Sequence, residues 1–172
     1  MLEEFGGARP RRGFPNVRLR THRNEVVRFY DDLVKDKVVV MSFMYTQCEG
    51  RCPITISSVR RLQEALGPRA GRDVFLYSIT LDPVNDTPAV LRDYAAVVGA
   101  GRGWRWLTGS VGDIEVIRRR LGFVDPDPRI DADKSQHSGL LLFGSDRADR
   151  WAACPALAKT ERLMTLLSRV AA

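Results

Sequence analysis

"FMYTQCEGRCPITISSVRRLQ", residues 43–63, places two of the chain's three cysteines four residues apart. Upstream, "KVVVMSFMY" (37–45) is a β-branched and apolar run, the pattern of a central strand covered on both faces. Downstream, Pro53 suits the first position of a helix. Ile56, Val59, Leu62 and Leu66 then recur at helical spacing until Gly67-Pro68 closes it. Cys48 and Cys52 therefore lie in a short loop between a buried strand and a helix N-terminus, and Gly50 lets that loop turn back on itself. Cys52 falls at or beside the N-cap. Free N–H groups and the helix dipole stabilise a negative sulfur there, so its thiolate is predicted to be the favoured one.

Two sulfurs at this spacing have several uses. They can form a disulfide if their Cα atoms approach within about 7 Å. They can stay as buried thiols, or grip one soft metal ion. A dedicated dithiol catalyst usually carries the tighter CxxC spacing, and the extra residue here opens the loop toward a bidentate clamp. A clamp of two needs a third donor, and the chain has two histidines. His22 sits between arginines in an N-terminal hairpin and reads as a surface residue. His137 opens the apolar stretch "HSGLLLFG", directly after a polar loop. Cys48, Cys52 and His137 form a set that suits copper, with thiolates favouring Cu(I) and imidazole extending tolerance to Cu(II). The same set can hold zinc with one open position.

Outward from this centre the chain alternates strand and helix. "VRLRTHRNEVVRF" (17–29) reads as a short hairpin, followed by a helical turn at 30–33. "DVFLYSITLD" is a second buried strand. "DTPAVLRDYAAVVG" is a helix capped by Thr87 with Pro88 at its first position. "WRWLTG" is a strand, and "SVGDIEVIRRRLGF" a helix starting at Ser110 or Asp113. "PDPRIDADKSQ" reads as loop. "HSGLLLFG" and "DRWAAC" form a hairpin, and an amphipathic helix closes the chain. A parallel βαβ core, a C-terminal ββα unit and a cysteine pair where the first core strand meets its helix together predict an α/β, thioredoxin-like fold. Its mixed central sheet is flanked by helices and extended by the N-terminal hairpin. Trp104, Trp106, Trp151, Met41, Met44 and Met164 read as core or hairpin packing. Cys154 reads as a buried small residue at the start of the last helix, or as a thiol with a redox or metal role, an exchange partner for Cys48 or half of an intermolecular disulfide.

With 172 residues the chain suits one domain, at 17–172, preceded by a flexible basic arm at 1–16 rich in Gly, Pro and Arg. The net charge of +6 comes without a nucleic-acid motif and reads as a solvated basic face. No apolar stretch reaches the ~18–20 residues of a membrane span, and residues 1–20 lack the apolar core of a secretory signal. The soluble part of an exported or tethered protein has this appearance.

"FMYTQCEGRCP", "SITLDPVNDTPAVLRDYA", "WRWLTG" and "DADKSQHSGLLLF" resemble, in order and spacing, the SCO/SenC family of thioredoxin-fold copper proteins. The resemblance runs from about residue 17 to the final helix. It implies copper handling for the binuclear CuA centre of cytochrome c oxidase, as a metallochaperone, as a reductant of the target cysteines, or both. It also implies a dithiol partner such as oxidase subunit II, and a periplasmic or other membrane-facing extracytoplasmic location. The copper ligands it implies are Cys48, Cys52 and His137. Many members carry Asp immediately before the ligand His, and this chain has Gln136 there. In "DPVNDTP", Asp86 and Thr87 read as helix-capping residues, and Asp82 as a supporting partner or extra oxygen ligand. Two other readings stand beside the carrier: a metal-independent thiol–disulfide oxidoreductase using the Cys48–Cys52 pair, and a redox- or copper-sensing interaction module.

Overall fold

The computed structural model describes residues 13–50, 52–136 and 139–172. Seven strands form one mixed sheet: β1 (Arg18–Thr21), β2 (Val26–Arg28), β3 (Val38–Met44), β4 (Val74–Thr80), β5 (Trp104–Thr108), β6 (Leu140–Ser145) and β7 (Arg150–Pro155). Their spatial order is β2-β1-β5-β4-β3-β6-β7. The three central strands β3, β4 and β5 run parallel, with Val40 opposite Leu76 and Ser78 opposite Trp106. The β6–β7 hairpin joins antiparallel on one side and the β1–β2 hairpin on the other. This is the mixed, thioredoxin-like arrangement with an N-terminal hairpin extension that the strand and helix order predicts.

The central strand β3 is buried on both faces because helices cover both. Val40 and Met44 face α1 (Cys52–Leu66) and α5 (Thr160–Ala171), in a core with Ile56, Val59, Leu62, Leu163 and Leu167. Val39, Met41 and Phe43 point the other way, into a second core with Leu33, Tyr77, Ile79, Ile114 and Ile117. The two-residue period of the strand sorts its side chains between these layers. Ser42 interrupts the apolar run, and its hydroxyl lies 3.1 Å from the Ser78 hydroxyl, which accepts from Trp104 Nε1 at 3.0 Å. A polar atom inside the sheet is thereby satisfied.

The local signals for helices hold. Thr87 caps α2 (Pro88–Val97) by accepting from Val90 N–H, and Ser110 caps α3 (Val111–Arg120) by accepting from Asp113 N–H. Gly67 adopts φ +52° after α1, the left-handed conformation that ends helices. The expected helical turn after β2 is present as a π-wound segment at Phe29–Val34.

Two regions differ from their sequence reading. Residues 13–16, grouped with the arm, pack on the body: Phe14 is buried against Trp151, and Asn16 Nδ2 donates to Asp31 at 2.7 Å. Residues 1–12 lie outside the described residues. The stretch read as loop holds a helical turn, α4 (Pro128–Ala132), and a 3₁₀ turn at Lys134–Gln136. Composition pointed to loop, but Arg118 on α3 reaches across with a bidentate pair to Asp131 at 2.6 and 2.7 Å. That pair holds the Asp131 carboxyl well below the usual carboxylate range. A contact from another helix, invisible to local propensity, organises the segment.

Candidate functional site

β3 ends at Met44 and α1 begins at Cys52, so residues 45–51 bridge the sheet and the helix at its C-terminal edge. Cys48 and Cys52 are both buried, at 6% and 0% exposure, and neither is joined in a disulfide. The Cys52 thiol hydrogen-bonds to the Cys48 sulfur, which brings the pair together as the spacing predicts.

Their acidities run opposite to the sequence expectation. Burial is the largest influence on Cys48 and works against ionisation. Hydrogen bonds from the Cys52 thiol, from the backbone N–H groups of Cys52 and Gly50, and from the Tyr45 hydroxyl outweigh it and push its pKa down. Cys52 is pushed up to about 12, first by burial, then by donating its proton to Cys48, with the charges of Cys48 and Asp86 adding. The amide at the start of α1 serves the upstream sulfur, so the helix N-terminus stabilises the Cys48 thiolate and leaves Cys52 protonated. Tyr45 is itself raised to about 12, by burial and then by its bond to Cys48, and remains a donor. Iodoacetamide at mildly alkaline pH is therefore expected to label Cys48 first. The Cys48 rate rises with pH through a midpoint below that of an ordinary thiol, while Cys52 reacts only near pH 12 or after unfolding. Peptide mapping checks this, and faster labelling of Cys52 would reverse the assignment.

Asp86 shapes this loop from 34 positions downstream of Cys52 in a role the sequence did not show. It is 1% exposed and does not cap α2. Its carboxylate accepts from Thr46 N–H at 3.1 Å, from the Thr46 hydroxyl, and from the Thr80 hydroxyl at 2.6 Å. Thr46 lies two residues before Cys48, so one buried acid ties the end of β4 to the thiol loop. Asp82, also buried, accepts from Asn85 Nδ2 at 2.8 Å and Lys134 Nζ at 2.9 Å, and these bonds keep its pKa low. The acids of "DPVNDTP" thus split into two struts. Tyr45, Thr46, Thr80 and Lys134 were missed because their partners are distant in sequence. The one local hint was Tyr45-Thr46, two hydroxyl residues just ahead of Cys48.

His137 lies outside the described residues, so its place relative to the thiols is not among the structure's contacts. The described chain on either side of it is anchored. Before it, Lys134 holds Asp82. After it, Gly139 accepts from Ala156 N–H at 2.8 Å, and Ala156 in turn accepts from Ser58 of α1 at 2.6 Å. Among the described residues no group of three or more His, Cys, Asp or Glu gathers into a potential metal cluster. His22 is half-buried, contrary to its surface reading. Its Nδ1 accepts from Trp106 N–H at 3.2 Å, which extends the β1–β5 pairing. Burial, then the charge of Arg23, lowers its pKa. Cys154 is buried, but on β7 opposite Leu141 and not at the start of α5.

Comparisons place this arrangement among known proteins. A family model described as SCO1/SenC matches residues 18–167. A Stutzerimonas stutzeri protein, named as a candidate copper-binding protein, is 34% identical over 122 residues, covering 69% of this chain and 58% of its own length. An SCO2-like protein of Rickettsia felis is 26% identical over 118 residues, covering 66% of this chain and 57% of its own. The chain thus spans less than three-fifths of the length of these relatives. Among solved structures, a SCO1/SenC family lipoprotein of Bacillus anthracis superposes with a TM-score of 0.74 at 21% identity, over 92% of this chain and 95% of that one. ScoI of Bradyrhizobium japonicum, solved with copper bound, gives 0.71 at 23% identity, over 89% and 96%. These two likenesses concern the fold. The family follows from the sequence model, which runs from β1 into the closing helix: this chain belongs to the SCO1/SenC family.

Proposed function

We propose that the chain is a copper carrier of the Sco type, with Cys48, Cys52 and His137 as the donors that hold its cargo. The observation that carries this reading is the hydrogen-bonded pair of buried sulfurs at the head of α1, one of them poised to ionise. Two sulfurs in contact are a soft bidentate donor set, and thiolate suits Cu(I). A thiol hydrogen bond also marks where a metal replaces a proton, because ligand thiols must be deprotonated to bind. The Tyr45 hydroxyl and the amides of Gly50 and Cys52 compensate charge on Cys48. Asp86 keeps the loop in place. A loop, unlike a closed cage, leaves the metal open to stepwise exchange with a partner's thiols. The recipient we propose is the dithiol CuA site of cytochrome c oxidase, on subunit II, and the setting is extracytoplasmic at a membrane surface. Kinship with a family that includes a lipoprotein member supports the setting.

A second reading is favoured by the unequal acidities. Cys48, as thiolate, attacks one sulfur of a partner disulfide and displaces the other as a thiolate. Cys52 then gives up its proton and attacks Cys48, which releases the partner's second sulfur and leaves a Cys48–Cys52 disulfide. Two electrons pass to the partner, and no metal takes part.

Copper titration of the reduced and the oxidised protein separates these readings. The reduced form is expected to bind one copper per chain with sulfur-to-copper charge transfer, and the oxidised form to show neither. Equal binding by both forms, or no charge-transfer band, sinks the carrier. Rapid reduction of a partner disulfide by copper-free protein, without any copper binding, would establish the oxidoreductase.

A further inference from the structure

The thiols belong to the core on one face of β3. Against the core on the other face, a cleft of about 540 Å³ opens between α3, α4 and the ends of β3 and β4. Its floor is Phe43, Leu81, Ile114 and Phe123. Its rim is apolar too: Val111, Val124 and Ile130 line it and are 61%, 42% and 41% exposed. The walls are fixed in advance. Arg118 holds α4 through Asp131, and the chain between the two helices through the Phe123 carbonyl at 2.7 Å. No cysteine is among the described residues that line the cleft. We propose that this cleft docks a segment of a partner protein in which an apolar side chain is flanked by Lys or Arg. The proposal goes beyond the thiol chemistry above and does not depend on it.

Two features choose this occupant. The first is the open apolar rim. A small-molecule site encloses most of its ligand, whereas this rim faces solvent, so only a body larger than the cleft takes its apolar surface out of water. The second is charge. The cations lining the cleft are already engaged: Arg118 with Glu115 and Asp131, Arg119 with Glu115 at 2.6 Å, and Lys134 with Asp82 at 2.9 Å. Two lining carboxylates, Asp125 and Asp133, pair with no cation among the described residues. Asp125 accepts from Asp127 N–H at 2.8 Å, and Asp133 from the Ser135 N–H and hydroxyl at 2.9 and 2.7 Å. In a chain of net charge +6, this spot is left negative. It attracts basic segments and repels acidic ones, over the ~8–10 Å that ordinary salt allows. An apolar side chain on the floor with a basic neighbour at the rim meets both features.

The probe is the peptide acetyl-Lys-Leu-Phe-Lys-amide, titrated into reduced, metal-free protein and followed by backbone amide shifts. Saturable shifts are expected at Phe43 and at 111–134. Acetyl-Glu-Leu-Phe-Glu-amide and acetyl-Lys-Gly-Gly-Lys-amide are expected to leave these signals in place. The double variant Asp125→Asn with Asp133→Asn removes two charges and keeps an oxygen for each local bond. It should weaken binding of the basic peptide about three- to tenfold, the scale of two screened pairs, and flatten its dependence on salt. Glu64→Gln with Asp93→Asn makes the same change in net charge on α1 and α2 and should bind as wild type. Ile130→Ser, on the exposed rim, should weaken binding about threefold at every salt concentration. Absence of saturable binding, or shifts centred elsewhere, overturns the proposal. So does equal binding of the acidic or the glycine peptide, or equal weakening by the two charge-neutralising double variants.

Discussion

Serine in place of Cys48 or Cys52 is expected to abolish stoichiometric copper binding and its charge-transfer band, the largest functional change any single substitution should cause. Removing either sulfur leaves one soft donor, and a hydroxyl stays protonated where a thiolate would coordinate. The two variants are not equivalent in other respects. Cys52 is wholly buried in the core that holds Met44, Ile56 and Val59, so Cys52→Ser also trades a soft, weakly polar thiol for a hydroxyl in largely apolar surroundings. Cys48→Ser loses the group on which Tyr45, Gly50 and Cys52 converge, but keeps an oxygen able to accept their bonds. His137→Ala is expected to abolish tight Cu(II) binding while the thiol pair still takes Cu(I). Cys154→Ser is the control: its sulfur lies on β7, outside the loop, and copper binding should persist. Copper stoichiometry by titration, with optical spectra, reads all four. Retained one-to-one binding in either loop variant would refute the dithiol clamp.

Asp86→Ala should carry the largest stability effect among the residues around the site. The carboxylate collects three donors inside the protein, two from Thr46 and one from Thr80. Hydrogen bonds to a charged acceptor contribute about 1.5–3 kcal/mol each, and three sharing one group are not additive. Truncation also leaves Thr80, itself fully buried, without this acceptor. A loss of about 3 kcal/mol is expected, which for a chain of this size lowers Tm by about 6–12 °C. Asp86→Asn keeps one oxygen for Thr46 N–H and Thr80 and presents an amide to the Thr46 hydroxyl, so its loss should be about a third as large. Chemical unfolding followed by far-UV dichroism measures both. The loop offers a second readout: with Thr46 released, the Cys48 thiolate loses its fixed donors and its alkylation midpoint moves up toward the ordinary thiol range. A drop below about 1 kcal/mol with unchanged Cys48 labelling would mean that Asp86 does not brace the loop.

These residues show how far local pattern reaches. The run 37–45, the helical spacing from Ile56 to Leu66, the caps at Thr87 and Ser110 and the stop at Gly67 all depend on interactions within a few residues. Each stands where the chain's own periodicity puts it. The pairing of Cys48 with Cys52 belongs to the same class, since a seven-residue connection between a strand and a helix leaves little freedom. Asp86 was misread because capping is a local rule and bracing is not: its partner Thr46 lies on the other side of a whole βαβ crossover. Residues 126–136 were read as loop because the guanidinium that orders them comes from α3. Cys154 and His22 were misplaced by a few residues or by degree of burial, since only packing decides which side of a hairpin edge is covered.

From its sequence alone this chain was determined to be a strand–thiol loop–helix unit inside a parallel α/β core, because hydrophobic period and short-range capping are written residue by residue. The tertiary structure alone decided which sulfur carries the charge. A thiol's acidity is a balance between its burial and the donors aimed at it, and here the first amide of α1 and the Tyr45 hydroxyl point at Cys48 while Cys52 lies in the core. That balance exists only once the helix, the sheet edge and the Asp86 strut have come together in space.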